Sequence, residues 1–185
     1  PTDTTVWAKW DETNLYLAFR CKRLRGVPLV HYGKPDQRDT NLCRGDAIEI
    51  FIMPNAKKNF FFVGDPGGAI FDGTNRPDDI AKWIGSWDGR WTYQTNVTDD
   101  AWEGELAIPF EDLGGPPAEG GRWGFTVGRY QPGFTRSALS PIGGVFFAPK
   151  TYGSLVFSRR MRVAASWPQV ALRTVLKLEV TNLGR

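Results

Sequence analysis

Apolar and polar residues alternate along much of this chain. The clearest case is Arg44-Gly45-Asp46-Ala47-Ile48-Glu49-Ile50-Phe51-Ile52, where Ile48, Ile50 and Ile52 interleave with Ala47, Glu49 and Phe51. Period two with β-branched residues on one face predicts a strand whose isoleucines enter a core. Glu49 then points to the opposite face, between Ala47 and Phe51. A carboxylate there must stay wet or find a donor, because an unpaired buried charge is very costly. Two readings stay open: a solvated strand face, or a carboxylate on the open face of a sandwich, turned to a polar ligand.

The same pattern predicts further strands. Residues 4–10 and 15–23 form a hairpin across Asp11-Glu12-Thr13-Asn14, with Leu15, Leu17, Phe19 and Cys21 on one face. Residues 24–43, rich in Gly, Pro, Asp and Arg, read as a long loop, and loops of this length are often functional. Residues 60–63 and 69–71 pair around Gly64-Asp65-Pro66-Gly67-Gly68, and 73–79 is a loop. Residues 81–87 and 91–98 are two strands across Asp88-Gly89, and 101–109 is another. A single helical turn follows at 110–114 and a loop at 115–121. Residues 122–131 alternate, with Trp123, Phe125, Val127 and Arg129 on one face. Residues 132–149 are mostly loop, and 152–157 is a short strand. The character changes after Arg159, with one more strand pattern at 170–180. Short strands with frequent turn signals indicate an all-β fold, an antiparallel β-sandwich of jelly-roll type. The sandwich is expected over residues 1–159. Residues 160–185 would be a C-terminal extension, either an added strand or the start of a following domain.

Composition narrows the function. The net charge is only +3, and the densest basic cluster, Ser158-Arg159-Arg160-Met161-Arg162, is too short for a nucleic-acid surface. No apolar run is long enough to span a bilayer. The chain starts at Pro with no signal-peptide pattern, which reads as a processed chain or an excised domain. Cys21 and Cys43 make no disulfide framework, although one bridge between them stays open. Eight Trp, twelve Phe and five Tyr are an unusual aromatic load, and such rings favour strands and stack on flat ligands or sugar faces.

Several phrases then line up in order. They are Trp10-Asp11 with Leu15-Tyr16-Leu17-Ala18-Phe19, the Gly45-to-Phe51 strand, and Gly67-Gly68-Ala69-Ile70-Phe71-Asp72. Next come Trp102-Glu103-Gly104-Glu105-Leu106-Ala107-Ile108-Pro109-Phe110 with Leu113-Gly114, Trp123-Gly124-Phe125-Thr126-Val127-Gly128-Arg129, and Tyr152-Gly153-Ser154-Leu155-Val156-Phe157. Together they resemble the family 9 carbohydrate-binding modules. The resemblance implies a β-sandwich attached to secreted polysaccharide-degrading enzymes, working in extracellular or periplasmic space, often with structural calcium. It also implies a sugar clamped by two Trp and held by polar side chains. Here one clamp position falls at Cys43 and the other near Phe146, the partner Arg and Asn fall near Phe62 and Gly64, and Glu49 matches a polar partner.

The expected function is therefore non-catalytic carbohydrate binding, with neighbouring domains and no nucleic-acid or membrane partner. Glu49 would accept from sugar hydroxyls and Arg129 would donate, while Phe146 with Trp87 or Trp91 would stack. Arg129 could instead simply neutralise Glu49. No cofactor is required, but calcium ligands could come from Asp36, Asp39, Asp46, Asp65 and Asp72. Glu49 with Glu105 would be a glycosidase-like pair if both faced one cleft. Two alternatives remain. One is an interaction sandwich that has lost sugar binding. The other is a haem-binding sandwich using His31 with Met53 or Met161.

Overall fold

The protein, seen in a computed structural model, is described for residues 3–39, 42, 44–76, 79–84, 87–133, 136–141, 146–158 and 176–180. The predicted hairpin forms from β1 (Thr4–Trp10) and β2 (Asn14–Lys22), in register from Thr4 opposite Cys21 to Trp10 opposite Leu15. Its turn is stapled by Asp11, whose Oδ1 accepts the Thr13 and Asn14 N–H groups at 2.7 Å each. The isoleucine strand is β3 (Ala47–Asn55), followed by β4 (Lys58–Gly64), β5 (Ile70–Arg76) and β6 (Asp79–Ile84). Then come β7 (Thr92–Val97), β8 (Ala101–Pro109), β9 (Arg122–Tyr130), β10 (Ser137–Ala138), β11 (Gly153–Val156) and β12 (Leu176–Val180).

These strands build two sheets packed face to face. One has the order β12-β1-β2-β8-β7; the other runs β10-β9-β3-β4-β5-β6, with β11 also paired to β9. All pairings are antiparallel except β12, which lies parallel to β1 at the edge of the five-stranded sheet. Between the sheets lies one core. Leu15, Leu17, Phe19, Trp102, Leu106 and Ile108 from one side meet Ile48, Ile50, Ile52, Phe60, Phe62, Phe125 and Val127 from the other. The alternation seen in sequence thus sets which face is inside.

A second apolar layer covers the outer face of the seven-stranded sheet: Leu42, Ala47, Phe51, Phe61, Val63, Ala69, Phe146 and Phe147. The strands β3 and β4 are therefore buried on both faces, which is why Phe60-Phe61-Phe62-Val63 is apolar without a break.

Two expectations change. Residues 73–76 belong to β5 rather than a loop, because Asn75 pairs across the ladder with Asn59 and their amides bond at 3.2 Å. The segment from Trp87 to Trp91 is no hairpin turn. It leads from β6 in one sheet to β7 in the other, so its rings turn inward to the core instead of toward solvent. The long loop before β3 is pinned across the β4–β5 end: Gly33 N–H donates to Asp65 and the Asp39 N–H to the Ile70 carbonyl, both at 3.0 Å. Cys21 is a buried free thiol; Cys43 lies outside the described residues. Of the 160–185 extension, only β12 is described.

Close packing between the sheets gives a direct test. A Cβ at Gly104 would stand 2.4 Å from Phe19 Cζ and 2.8 Å from Tyr93. Gly104→Ala is expected to cost about 1–3 kcal/mol by overpacking, read as a lower urea midpoint with unchanged slope; an unchanged midpoint would contradict this packing.

Candidate functional site

The site is built from the outward side chains of β9, β3, β4 and β5. Register sets Gly128, Glu49, Val63 and Phe71 in one cross-strand row, and Thr126, Phe51, Phe61 and Gly73 in the next. Gly128 matters because it leaves room for a ring. A Cβ there would stand 2.5 Å from Phe146 Cγ, so Phe146 lies directly over Gly128, beside Glu49. The rings of Phe147 and Tyr152 pack on Phe51 with centroids 5.9 and 6.0 Å away.

Glu49 is half-buried in this apolar frame and takes no hydrogen bond among the described residues. Burial pushes its carboxyl from the ordinary 4.5 up to about 7, with the Arg136 guanidinium pulling it part of the way back. Arg136 itself stands 5.5 Å from the Tyr130 ring centroid, in cation–π range. On the same face, Asn59, Asn75 and Thr126 are fully buried. Sequence reasoning passed over these three. Asn59 and Asn75 read as turn or loop residues, and Thr126 is the outward position between Phe125 and Val127. Its period-two phase was the signal available.

Of the predicted site residues, Glu49 and Phe146 come together. Arg129 does not join them. It alternates onto the inner face with Val127 and is 1 % exposed. There its Nη1 donates to the Lys22 carbonyl at 3.0 Å and to Thr4 Oγ1 at 3.4 Å. Its counter-charge is Asp46 rather than Glu49: burial pushes the Asp46 carboxyl up, and Arg129 is among the cations pulling it back. Trp91 is a core ring whose Nε1 donates to Asp72 at 2.5 Å, and Trp87 packs on Phe60 and Phe62. Both tryptophans lie on the inner side, away from Phe146, so the sheet separates the rings expected to clamp a ligand. They were misplaced because the segment carrying them crosses between sheets.

The loop aspartates divide by use. Asp46 accepts the Val30 N–H at 2.8 Å, and Asp65 accepts from Gly33 and Ala69 at 3.0 Å, so both are spent on loop geometry. Asp36 has positive φ in an exposed turn. Asp39 and Asp72, joined by Asp88, can each present one oxygen, all within 4.8 Å of one another. Burial, followed by the Asp88 charge, raises the Asp39 carboxyl. Arg38 occupies one edge of the cluster, 2.5 Å from Asp72 Oδ2.

Haem ligation by His31 and Met53 does not fit. His31 stands beside Gly45, just before β3, and Met53 lies near the other end of that strand. The six residue steps of strand from Ala47 to Met53 alone span roughly 20 Å, too far for the two to flank one iron. Met161 lies outside the described residues.

No protein-family model and no curated protein matches this chain. Solved structures do match in fold. A candidate carbohydrate-binding protein from Bacteroides uniformis aligns over 80% of this chain and 74% of its own, with 13% identity and a TM-score of 0.62. A family 9 carbohydrate-binding module from Caldicellulosiruptor kristjanssonii, in complex with cellotriose, aligns over 87% of this chain and 78% of its own, at 18% identity and a TM-score of 0.54. A family 9 module from the same organism, in complex with glucose, covers all of this chain with 80% of its own, at 16% identity and a TM-score of 0.54. The fold is that of the family 9 modules.

The raised Glu49 carboxyl has a signed consequence. The folded state holds the proton more tightly than the unfolded chain, so stability falls as pH rises from 4.5 to about 7 and is level beyond. Glu49→Gln should therefore raise unfolding free energy at pH 8 by about 1–3 kcal/mol and change it little at pH 4. Urea titrations at the two pH values check this. An equal difference at both would mean that Glu49 titrates normally.

Proposed function

We propose that this chain is a non-catalytic carbohydrate-binding domain, and that it holds sugar on the outer face of the seven-stranded sheet around Glu49. The carrying observation is the Glu49 carboxyl itself: half-buried, framed by aromatic rings, and without a hydrogen-bond partner among the described residues. A sugar ring supplies both complements, hydroxyls for the carboxylate and a C–H face for the rings. The fold neighbours complexed with cellotriose and glucose support the same ligand class. Phe146 is the stacking ring in this reading, and Arg136 replaces Arg129 as the cation facing Glu49.

Binding without catalysis is supported by the carboxylates. Glu49 and Glu105 project from opposite outer faces of the sandwich, whose sheets are themselves ~10 Å apart, so they cannot flank one glycosidic bond. In this proposal the domain works in extracellular or periplasmic space, bringing a neighbouring glycoside-processing domain to its polysaccharide. Calcium is the cation assigned to Asp39, Asp72 and Asp88, an all-oxygen donor set.

A second location is favoured by a groove of about 560 Å³ on the outer face of the five-stranded sheet, walled by Trp7 and Tyr16 and floored by Ala18 and Ala107. A glycan array separates the outcomes. The proposal expects a specific hit that is lost in Glu49→Ala and weakened in Phe146→Ala, with both variants folded by circular dichroism. A hit lost only in Trp7→Ala would move the site to the groove, and a blank array would favour an interaction sandwich. Millimolar calcium should raise the melting temperature by at least about 2 °C, an effect abolished by chelator and by Asp88→Asn. Identical melting curves would remove calcium from the account.

A further inference from the structure

The outer face of the seven-stranded sheet carries buried polar atoms that the fold itself leaves unpaired. Asn59 and Asn75 bond to each other through one amide hydrogen, leaving Asn59 Oδ1 and Asn75 Nδ2 without a partner. Flipping both amides would still leave one donor and one acceptor spare. Thr126 Oγ1 is likewise unpartnered at 0 % exposure. The Tyr152 hydroxyl is buried, faces Asn59 and closes no well-formed hydrogen bond. Folded proteins rarely leave such groups orphaned, because each carries an uncompensated desolvation cost when nothing replaces water. Four of the nine such atoms among the described residues share one face, and that face is the one carrying Glu49.

Register and packing connect them. Thr126 lies opposite Phe51, on which the Tyr152 ring packs, and Tyr152 Cδ2 is 3.5 Å from where a Gly124 Cβ would stand. The set offers a carboxyl, two hydroxyls, one amide donor and one amide acceptor. Such a set recognises hydroxyl groups, which both donate and accept. Its one formal negative charge, Glu49, already draws on the Arg136 guanidinium, so a second carboxylate would have to compete for that cation.

We propose that Asn59, Asn75, Thr126 and Tyr152 extend the Glu49 site into a hydroxyl-recognition pocket, selective for a neutral sugar ring over its uronic acid. This rests on the carbohydrate-binding reading and names the ligand class and the residues that select it. None of the four is a position at which the family resemblance expects a sugar contact.

The test uses Thr126→Val and Tyr152→Phe, which remove one hydroxyl each while keeping shape. The probes are a panel of neutral monosaccharides and their uronic acids, titrated by calorimetry at pH 8. The proposal expects each variant to melt no lower than the parent and to bind the preferred neutral sugar about three- to tenfold more weakly. It also expects the parent to bind that sugar at least tenfold more tightly than the uronic acid. Parent binding that ignores both hydroxyls would overturn this inference alone, leaving them as sites of ordered water only. A lower melting temperature in both variants would show the hydroxyls satisfied within the fold and overturn it too. Equal affinity for the uronic acid would overturn the ligand class. A parent that binds no sugar defeats both this inference and the reading beneath it.

Discussion

Two-sided burial of the strands β3 and β4 is the constraint on which the rest of the structure depends. Their inward residues join the core between the sheets, while Ala47, Phe51, Phe61 and Val63 make a second apolar layer outside. Register is consequently fixed from both sides. A one-residue slip of β3 would drive Glu49 into the inner core and expel three isoleucines. The same burial raises the Glu49 carboxyl and makes Gly128 necessary, since only a missing side chain admits the Phe146 ring.

Against this background the buried charges differ in kind. Asp65 accepts two backbone N–H groups, Asp46 accepts one and faces Arg129, and Asp72 takes Arg38 and the Trp91 indole. Each serves to tie a loop or strand end in place. Glu49 makes no hydrogen bond among the described residues. Its carboxyl, held in an apolar frame and drawn on by the Arg136 guanidinium, weakens the fold at neutral pH, and the proposed sugar would satisfy it.

Much of the fold was legible from residue periodicity. The isoleucine strand, the first hairpin and the 122–131 strand all show a clean period of two, and each formed with the expected face inside. The candidate site was legible in part. Alternation alone put Glu49 outward, and the phrase resemblance brought in Phe146. The same alternation in fact assigns Arg129 to the inner face with Val127, but its charge suggested a ligand role. Trp87 and Trp91 could not be placed locally, because whether a segment turns back or crosses to the other sheet is decided by long-range pairing. Asn59 and Asn75 were hidden for a similar reason. Their local sequence favours turns, and only their pairing across β4 and β5 makes them strand residues.

The central claim is that sugar meets the outer face of the seven-stranded sheet. Amide chemical shifts of the labelled protein, followed as the preferred sugar is titrated, test it most directly. The account predicts saturable shifts at Glu49, Val63, Thr126 and Gly128, with the amides of Trp7, Ala18 and Ala107 unmoved. Shifts confined to that second set would contradict it and place the sugar on the opposite face of the sandwich.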